Sequence, residues 1–212
     1  MNLKKLLSYL YPIKEKTIPS SLNGVFEVTW ENGKKVLNTK NANYSYGSLH
    51  KVFQKALKEI DLSTLPIKNV LVLGFGAGSI FKIIREEHGL NIDIVGVEKD
   101  EVYKMIIPMF IENPKKLNLI YDDAIDFLKK NTEKYDLILC DLFIDHRTLK
   151  HSMDSSFLKN VKLCLSKNAF FVQNTMIPIK DEERDYFIKL EQVFHVVDLK
   201  VYQNSNSIFF CK

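Results

Sequence analysis

The feature that most constrains the fold is a regular alternation of apolar runs with helical patterns from residue 69 to residue 192. The runs are VLVLG, IDIVGVE, LNLIY, YDLILCD and AFFVQNT, and the helical segments that follow them cover 78–88, 100–111, 123–131, 154–165 and 181–192. Such alternation is typical of a buried, mostly parallel sheet with helices on both faces. The sequence therefore predicts an α/β fold with a doubly wound sheet.

The C-terminal segment departs from this alternation. VFHVVDLKVY and SIFFCK are strand-like runs with no helix between them, separated only by Gln203-Asn204-Ser205-Asn206. Two strands joined by a short polar loop are typical of an antiparallel hairpin. The complete sheet is thus predicted to be Rossmann-like and seven-stranded, closed by this C-terminal antiparallel hairpin.

The N-terminal segment predicts a small appendage. MNLKKLLSYLYPIKEK has the pattern of an amphipathic helix, and the runs GVFEVTW and KKVLNT flank Asn32-Gly33, a strong signal for a β-hairpin within 22–40. A helix with apolar residues at i, i+3, i+4 and i+7 spacing is predicted over 46–60. We therefore divide the chain into an appendage, 1–45, and an α/β domain, 46–212.

Composition limits the classes of protein that fit. The 212 residues are 46% apolar, and their net charge of +4 comes from 30 basic and 26 acidic residues spread along the chain, which does not favour nucleic-acid binding. No apolar run reaches the roughly 18 residues needed to cross a bilayer, and the start lacks a cleavage site, so a cytoplasmic protein is expected. Three cysteines without CxxC spacing, Cys140, Cys164 and Cys211, do not favour disulfides or zinc.

Three glycines follow the first strand of the alternating region, in NVLVLGFGAGS. Gly74, Gly76 and Gly78 make a G-x-G-x-G pattern, whereas dinucleotide sites use G-x-G-x-x-G, and Ser79 stands at the last position of that pattern. A glycine turn at this place lets the backbone approach a ligand and presents helix N–H groups to it. The G-x-G-x-G form is usual in class I S-adenosylmethionine (SAM) folds, although a plain tight turn stays open.

Acidic residues follow the next two strands. Glu98 closes the second strand, where a carboxylate can accept hydrogen bonds from both hydroxyls of a ribose, although a solvated charge is the alternative. Asp123, followed by Ala124, comes after the third strand and starts the helix DAIDFLKK. It can cap that helix, contact an adenine amino group, or do both. The order of glycine turn, acid and acid predicts a nucleoside site.

These motifs, over residues 36–176, resemble spermidine synthase and its relatives: a β-hairpin, a Tyr-containing helix start, then VLVLGFGAGS, VGVEKD, YDDAIDFL and YDLILCD in the same order. The resemblance implies a SAM-type fold that binds decarboxylated SAM or a related nucleoside and transfers an aminopropyl group to an amine. It places Gly74, Gly76 and Gly78 at the aminopropyl or amino-acid end, Glu98 at the ribose and Asp123 with Ala124 at the adenine. It also makes Asp141 the first Asp of the family's catalytic loop, and Tyr46 the Tyr of its Tyr-His-Glu segment.

The sequence departs from the family at the acceptor side. The catalytic loop is Asp141-Leu142-Phe143-Ile144-Asp145-His146, so the second Asp comes one residue late and His replaces the proline. Gly47 and Ser48 replace the polar pair after Tyr46, and Leu37 stands where a Gln that contacts ligand is expected. Binding a polyamine without carboxylate partners costs several kcal/mol. These losses disfavour a standard polyamine as acceptor.

The acceptor-site candidates are Tyr46, Asp145, His146 and Asn174, and Asp141 is the predicted general base or ammonium anchor. We expect no metal, because a sulfonium is already an activated leaving group. Three interpretations stay open. The first is a spermidine-synthase-like transferase moving an aminopropyl or methyl group, from decarboxylated SAM or SAM, to an unidentified small acceptor. The others are an ordinary SAM-dependent small-molecule methyltransferase and a non-catalytic nucleoside-binding or interaction protein. A homodimer is possible in each case.

Overall fold

The computed structural model describes residues 3–39, 43–45, 48–144, 147–202 and 206–212. The N-terminal part contains a short helix and a four-stranded antiparallel sheet. Their bounds are α1 Leu3–Leu7, β1 Ile13–Ser20, β2 Gly24–Glu31, β3 Lys34–Thr39 and β4 Asn43–Ser45, and the strands pair in the order β1-β2-β3-β4. Asn32 and Gly33 form the turn between β2 and β3 with φ of 48° and 76°, which confirms the predicted hairpin.

The predicted N-terminal amphipathic helix is too long. Helix α1 ends at Leu7, and the chain from Ile13 onward is β1, which pairs with β2 from Ile13↔Trp30 to Ser20↔Gly24. Pro12 precedes this change, and a proline disfavours helical conformation in the residue before it. The free edge of β2 supplies backbone partners that an isolated segment lacks, so sheet pairing overrides the weak helical pattern.

The main sheet has seven strands in the part of the chain that is described. They are β5 Asn69–Leu73, β6 Asp93–Glu98, β7 Leu117–Tyr121, β8 Tyr135–Cys140, β11 Leu165–Thr175, β12 Val197–Tyr202 and β13 Asn206–Cys211. Two-residue strands β9, Phe143–Ile144, and β10, Arg147–Thr148, pair outside this sheet. The spatial order is β12-β13-β11-β8-β5-β6-β7, in which β13 is antiparallel to both of its neighbours and the other pairs are parallel. This confirms the predicted α/β sheet and its closing hairpin.

Helices connect these strands close to the predicted positions. Their bounds are α2 Ser48–Glu59, α3 Ser79–Lys82, α4 Tyr103–Ile106, α5 Ala124–Lys130, α6 Ser155–Cys164 and α7 Lys180–Glu191. Helix α3 continues as a π-helical turn over Ile83–Glu87, and α4 continues as a 3₁₀ turn over Ile107–Met109. Further 3₁₀ turns cover Leu62–Thr64 and Lys150–Met153. No helix of the described ranges has the length and apolar character to cross a membrane.

Both faces of the main sheet are buried, as the continuous apolar runs predict. Successive residues of β5 alternate between two core clusters: Val70 and Val72 face one, and Leu71 and Leu73 face the other. The small sheet joins the first cluster through Ile18, Phe26, Val28 and Leu37, together with Val52 and Phe53 of α2. The buried position of Leu37 explains an apolar residue there by packing. The division into 1–45 and 46–212 stays a prediction.

Candidate functional site

Register brings the predicted site to the carboxyl edge of the main sheet. Parallel pairs place Leu73 of β5 opposite Val97 of β6 and opposite Cys140 of β8. The residues after these positions continue the contact, since the Asp141 N–H donates to the Leu73 carbonyl at 2.9 Å and the Gly74 N–H to the Val97 carbonyl at 3.0 Å. The glycine turn therefore lies between the strand ends that carry Glu98 and Asp141.

The glycine turn has a conformation that side chains disfavour. The φ angles of Gly74, Gly76 and Gly78 are 80°, 57° and 91°. At Gly74 a Cβ would lie only 2.4 Å from the backbone oxygen of Asp141. The absence of a side chain at this position lets the turn approach the end of β8, which is the chemical reason for glycine here.

Glu98 is bound to the glycine turn. Its Oε2 accepts the Gly76 N–H at 2.9 Å, and its Oε1 accepts the Asp100 N–H at 3.0 Å. Burial raises the pKa of Glu98, and the backbone N–H donors oppose this by favouring the charged form. Each oxygen of a carboxylate has room for a second donor, so the group can still accept hydrogen bonds from a ligand.

Asp123 caps α5, which confirms one of its two predicted roles. Its Oδ1 accepts the Ile125 N–H at 2.8 Å, and its Oδ2 lies 3.0 Å from Nζ of Lys99. Burial alone would raise the pKa of Asp123, but the Lys99 ammonium and the backbone N–H groups hold it below the usual value. Ala124 is the buried first residue of the helix. Contact of either residue with adenine stays a prediction.

Asp141 lies directly after β8 and is partly buried. Its Oδ1 accepts a hydrogen bond from Nδ2 of Asn174 at 2.9 Å. Burial raises the pKa of Asp141 to about 6; the Asn174 donor works against this rise, and the negative charge of Glu98 adds to it. The carboxyl thus titrates close to neutral pH, a range that suits proton transfer.

Asn174 belongs to a buried polar group that the sequence analysis missed in part. Asn206, the first residue of β13, donates from Nδ2 to Oδ1 of Asn174 at 3.0 Å. Both asparagines are buried, with exposed fractions of 0% for Asn174 and 5% for Asn206. The signal in the sequence is the polar end of an otherwise apolar strand, AFFVQNT, but nothing in the sequence pairs residue 174 with residue 206.

The loop after Asp141 is described only in part. Leu142 packs against the second core cluster, and Thr148 is buried with its Oγ1 accepting the Met176 N–H at 2.7 Å. The candidates Tyr46, Asp145 and His146 lie outside the described residues. The structure therefore brings together Gly74, Gly76, Glu98, Asp141 and Asn174, with Asp123 at the end of the neighbouring strand.

The described ranges can also be searched for clusters of metal ligands and for exposed thiols. They hold no group of three or more His, Cys, Asp or Glu side chains that could bind a metal ion. Cys140, Cys164 and Cys211 are buried free thiols, and burial raises the pKa of Cys140 and Cys211. These thiols act as small apolar side chains of the core.

Comparison with solved structures identifies the fold. Human Methyltransferase-like protein 13 in complex with SAH superposes with a TM-score of 0.66 at 20% identity, over 79% of this chain and 82% of that one. A spermidine synthase in complex with the transition state analogue AdoDATO superposes with a TM-score of 0.65 at 14% identity, over 94% and 73% of the two chains. Both matches show that the chain has the methyltransferase-like fold.

Sequence comparison identifies the family. The polyamine aminopropyltransferase of Buchnera aphidicola subsp. Schizaphis graminum is 32% identical over 145 residues, which are 65% of this chain and 50% of the relative. The polyamine aminopropyltransferase of Methanocaldococcus jannaschii is 29% identical over 135 residues, which are 60% and 46% of the two chains. The chain thus spans about half the length of the curated relatives it matches. Because the family model of the spermine/spermidine synthase domain matches residues 50–203, most of the chain, this protein belongs to the spermine/spermidine synthase domain family.

Proposed function

We propose that this chain binds decarboxylated SAM at the carboxyl edge of the main sheet and transfers its aminopropyl group to a small amine. The observation that carries the proposal is the position of Asp141, whose backbone contacts the glycine turn at Gly74 and whose carboxyl has a pKa raised to about 6 by burial. Relatives named polyamine aminopropyltransferase support the reaction type. The acceptor is an amine that differs from the standard polyamines, because the polar segment after Tyr46 is replaced.

The donor site is assembled from the turn and two acids. Glu98 is fixed by the Gly76 and Asp100 N–H groups, and its remaining lone pairs accept the two ribose hydroxyls. Asp123 accepts from the adenine amino group while it caps α5, and Lys99 moves aside or shares the carboxylate. Gly74 lets the glycine turn approach the backbone of Asp141, so that the proposed sulfonium site lies between the turn and this residue.

Charge at the edge of the sheet favours the decarboxylated donor over SAM. Glu98 acts electrostatically on Asp141, so the two carboxyls are close enough for their charges to interact. A third carboxylate, such as the one that SAM carries on its amino-acid group, adds like charge to this region, whereas a sulfonium and an ammonium group are stabilised by it. This argument favours aminopropyl transfer over methyl transfer.

The chemistry asks little of the protein beyond alignment and proton removal. The acceptor nitrogen forms a bond to the aminopropyl carbon next to sulfur, the carbon–sulfur bond breaks, and the electron pair stays on sulfur as a neutral thioether. Asp141 accepts the proton that the nitrogen loses. Asn174 holds Oδ1 of Asp141, which leaves Oδ2 to face the acceptor.

Calorimetric titration with decarboxylated SAM, SAM and methylthioadenosine tests the donor site. We expect tightest binding of decarboxylated SAM, and product formation when amines are supplied. Tighter binding of SAM with methylated product would replace the proposal by methyl transfer. Binding of none of the three would leave a non-catalytic interaction protein.

Substitution of Asp141 tests the assigned base. Asp141→Asn keeps the size of the side chain, so we expect donor binding to persist and turnover to be lost. Asp126→Asn is the matched control, because Asp126 is exposed on α5 and pairs only with Lys129 within the described part of the chain. Full turnover in Asp141→Asn would contradict the assignment.

A further inference from the structure

Two side-chain amides are hydrogen-bonded in series, and the second donates to the candidate catalytic carboxyl. The Asn206 amide donates to Oδ1 of Asn174 at 3.0 Å, and the Asn174 amide donates to Oδ1 of Asp141 at 2.9 Å. The residues come from three strand ends: Asp141 follows β8, Asn174 lies in β11 and Asn206 begins β13. We call this series the amide relay, defined as Asn206, Asn174 and Asp141.

The orientation of the middle amide depends on Asn206. A carboxamide has its oxygen and its NH₂ group on opposite sides, so turning Asn174 over would place its oxygen against the Asp141 carboxylate and its NH₂ against the NH₂ of Asn206. Both contacts would then be repulsive. Asn174 is fully buried, so water cannot easily replace either partner. With Asp141 ionised and Asn206 oriented as observed, only the observed orientation of Asn174 gives both hydrogen bonds.

We propose that Asn206 is a positioning residue for Asp141 and acts on it through Asn174. Asn206 keeps the Asn174 NH₂ directed at Asp141, and this hydrogen bond fixes the carboxyl rotamer with Oδ1 occupied. Within the described part of the chain, Oδ2 receives no hydrogen bond, so it is the oxygen left for the acceptor. The catalytic meaning of this positioning rests on the proposed function, whereas the effect on the carboxyl itself does not.

The relay also affects the charge state of Asp141, because the Asn174 donor opposes the rise in pKa that burial causes. The titratable groups that face it in the described ranges are Glu98, whose charge disfavours ionisation of Asp141, and the buried thiol of Cys140. The Asn174 donor favours ionisation. Losing this donor, or turning it away by removing Asn206, therefore shifts the carboxyl toward its protonated form at a given pH.

The test follows the Asp141 carboxyl directly, by ¹³C NMR titration of labelled protein, with Asp141→Asn identifying the resonance. We expect Asn174→Ala and Asn206→Ala each to raise the titration midpoint by roughly one pH unit. In the double variant we expect the same midpoint as in Asn174→Ala alone, because within the described part of the chain Asn206 reaches Asp141 through Asn174. Ser207→Ala, which removes a neighbouring β13 side chain bonded to Glu183, is the matched control and leaves the midpoint unchanged.

Two results would overturn the relay: an unshifted midpoint in Asn206→Ala, or shifts that add in the double variant. If Asn206→Ala fails to fold, the isosteric Asn206→Asp replaces it. A carboxylate at position 206 attracts the Asn174 NH₂ and turns its oxygen toward Asp141, so the midpoint rises. If this rise passes through the relay, it is smaller when Asn206→Asp is combined with Asn174→Ala. A rise of the same size in that double variant would come from charge repulsion alone and would contradict the proposal.

The NMR titration requires neither donor nor acceptor, so it separates the two proposals. If the protein transfers no group but its variants show the non-additive shifts, the relay is supported and the proposed function is contradicted. If the protein is active but the Asp141 midpoint is unshifted in Asn206→Ala, only the relay is contradicted. Activity supplies a second readout, because the same variants move the acid limb of the kcat profile toward higher pH without a matching change in donor affinity.

Discussion

Burial beside Glu98 gives Asp141 a pKa of about 6, against 3.8 for the group in water. An acid with a raised pKa must lose its proton before it can accept one from an amine. We therefore expect kcat/KM for the donor in the proposed aminopropyl transfer, which reports groups of the free protein, to rise with pH through about 6 and then to level off. Initial rates at low donor and saturating acceptor measure this limb; a kcat/KM that does not change across the same range would contradict the role of Asp141 as base.

Glu98 is bonded to the glycine turn through the Gly76 N–H, and the proposed function gives it the ribose hydroxyls of the donor as further partners. Glu98→Gln keeps the shape but replaces one acceptor oxygen by a donor NH₂, which clashes with either a backbone N–H or a ribose hydroxyl. We expect affinity for decarboxylated SAM to fall by about 1–3 kcal/mol, or roughly 5- to 150-fold, as measured by calorimetry. Asp93→Asn, at the other end of β6 and largely exposed, is the control that leaves affinity unchanged.

At the scale of elements, the turn after β5 depends on close approach between two backbone segments. In Gly74→Ala the added Cβ would lie 2.4 Å from the Asp141 carbonyl oxygen, and the alanine would have to adopt a φ of 80°. We expect the free energy of unfolding to fall by about 2–4 kcal/mol, from backbone strain and overpacking together.

Gly89 supplies the control for this turn. Its φ is also positive, at 66°, but a Cβ there has no atom within 4 Å. Gly89→Ala should therefore cost only the strain of the left-handed conformation, about 1–2 kcal/mol. Urea unfolding of both variants measures the difference. Equal losses would mean that the contact with β8 does not constrain the turn.

The elements also show which sequence patterns suffice. Strands such as β5 are predicted well because both of their faces are buried and the run is apolar throughout. The segment 78–88 is helical as predicted, but it changes to a π-helical turn at Ile83, where the His88 N–H donates to the Ile83 carbonyl. Arg85 stabilises this end by donating to the carbonyls of Leu90 and Ile92, both at 2.6 Å. These contacts do not depend on the helical periodicity of the apolar residues, so that periodicity does not predict them.

At the scale of the whole molecule, the sequence predicts which strand ends carry acids, because strand order places them at one edge. Glu98 and Asp141 meet the glycine turn for this reason. The partners of these acids are harder to predict. Lys99 next to Asp123, and Asn206 next to Asn174, depend on side-chain direction and on the antiparallel return of β13, 32 residues away in sequence. Such pairs follow from tertiary packing, and the local periodicity of the sequence does not predict them.

The same buried acids determine how stability of the whole protein depends on pH. The pKa values of Asp141 and Glu98 are raised by folding, so between about pH 4 and 6 the folded state binds more protons than the unfolded state, and the free energy of unfolding falls as pH rises. Asp123 and Glu87 have lowered pKa values and act in the opposite sense, with stability that is present above about pH 4 and is lost in more acid solution.

The raised pKa of Asp141 predicts that Asp141→Asn is more stable than the natural protein near neutral pH and equally stable in acid. A shift from 3.8 to about 6 corresponds to about 3 kcal/mol at pH values above both, and to nothing at pH values below both. Urea unfolding at about pH 8 and at about pH 3 measures the two limits, and Asp126→Asn, which removes an exposed ion pair of little net energy, should show no such dependence. If the stability difference between Asp141→Asn and the natural protein were the same at both pH values, folding would leave the pKa of Asp141 unchanged. Asp141 would then not be a base that titrates near neutral pH.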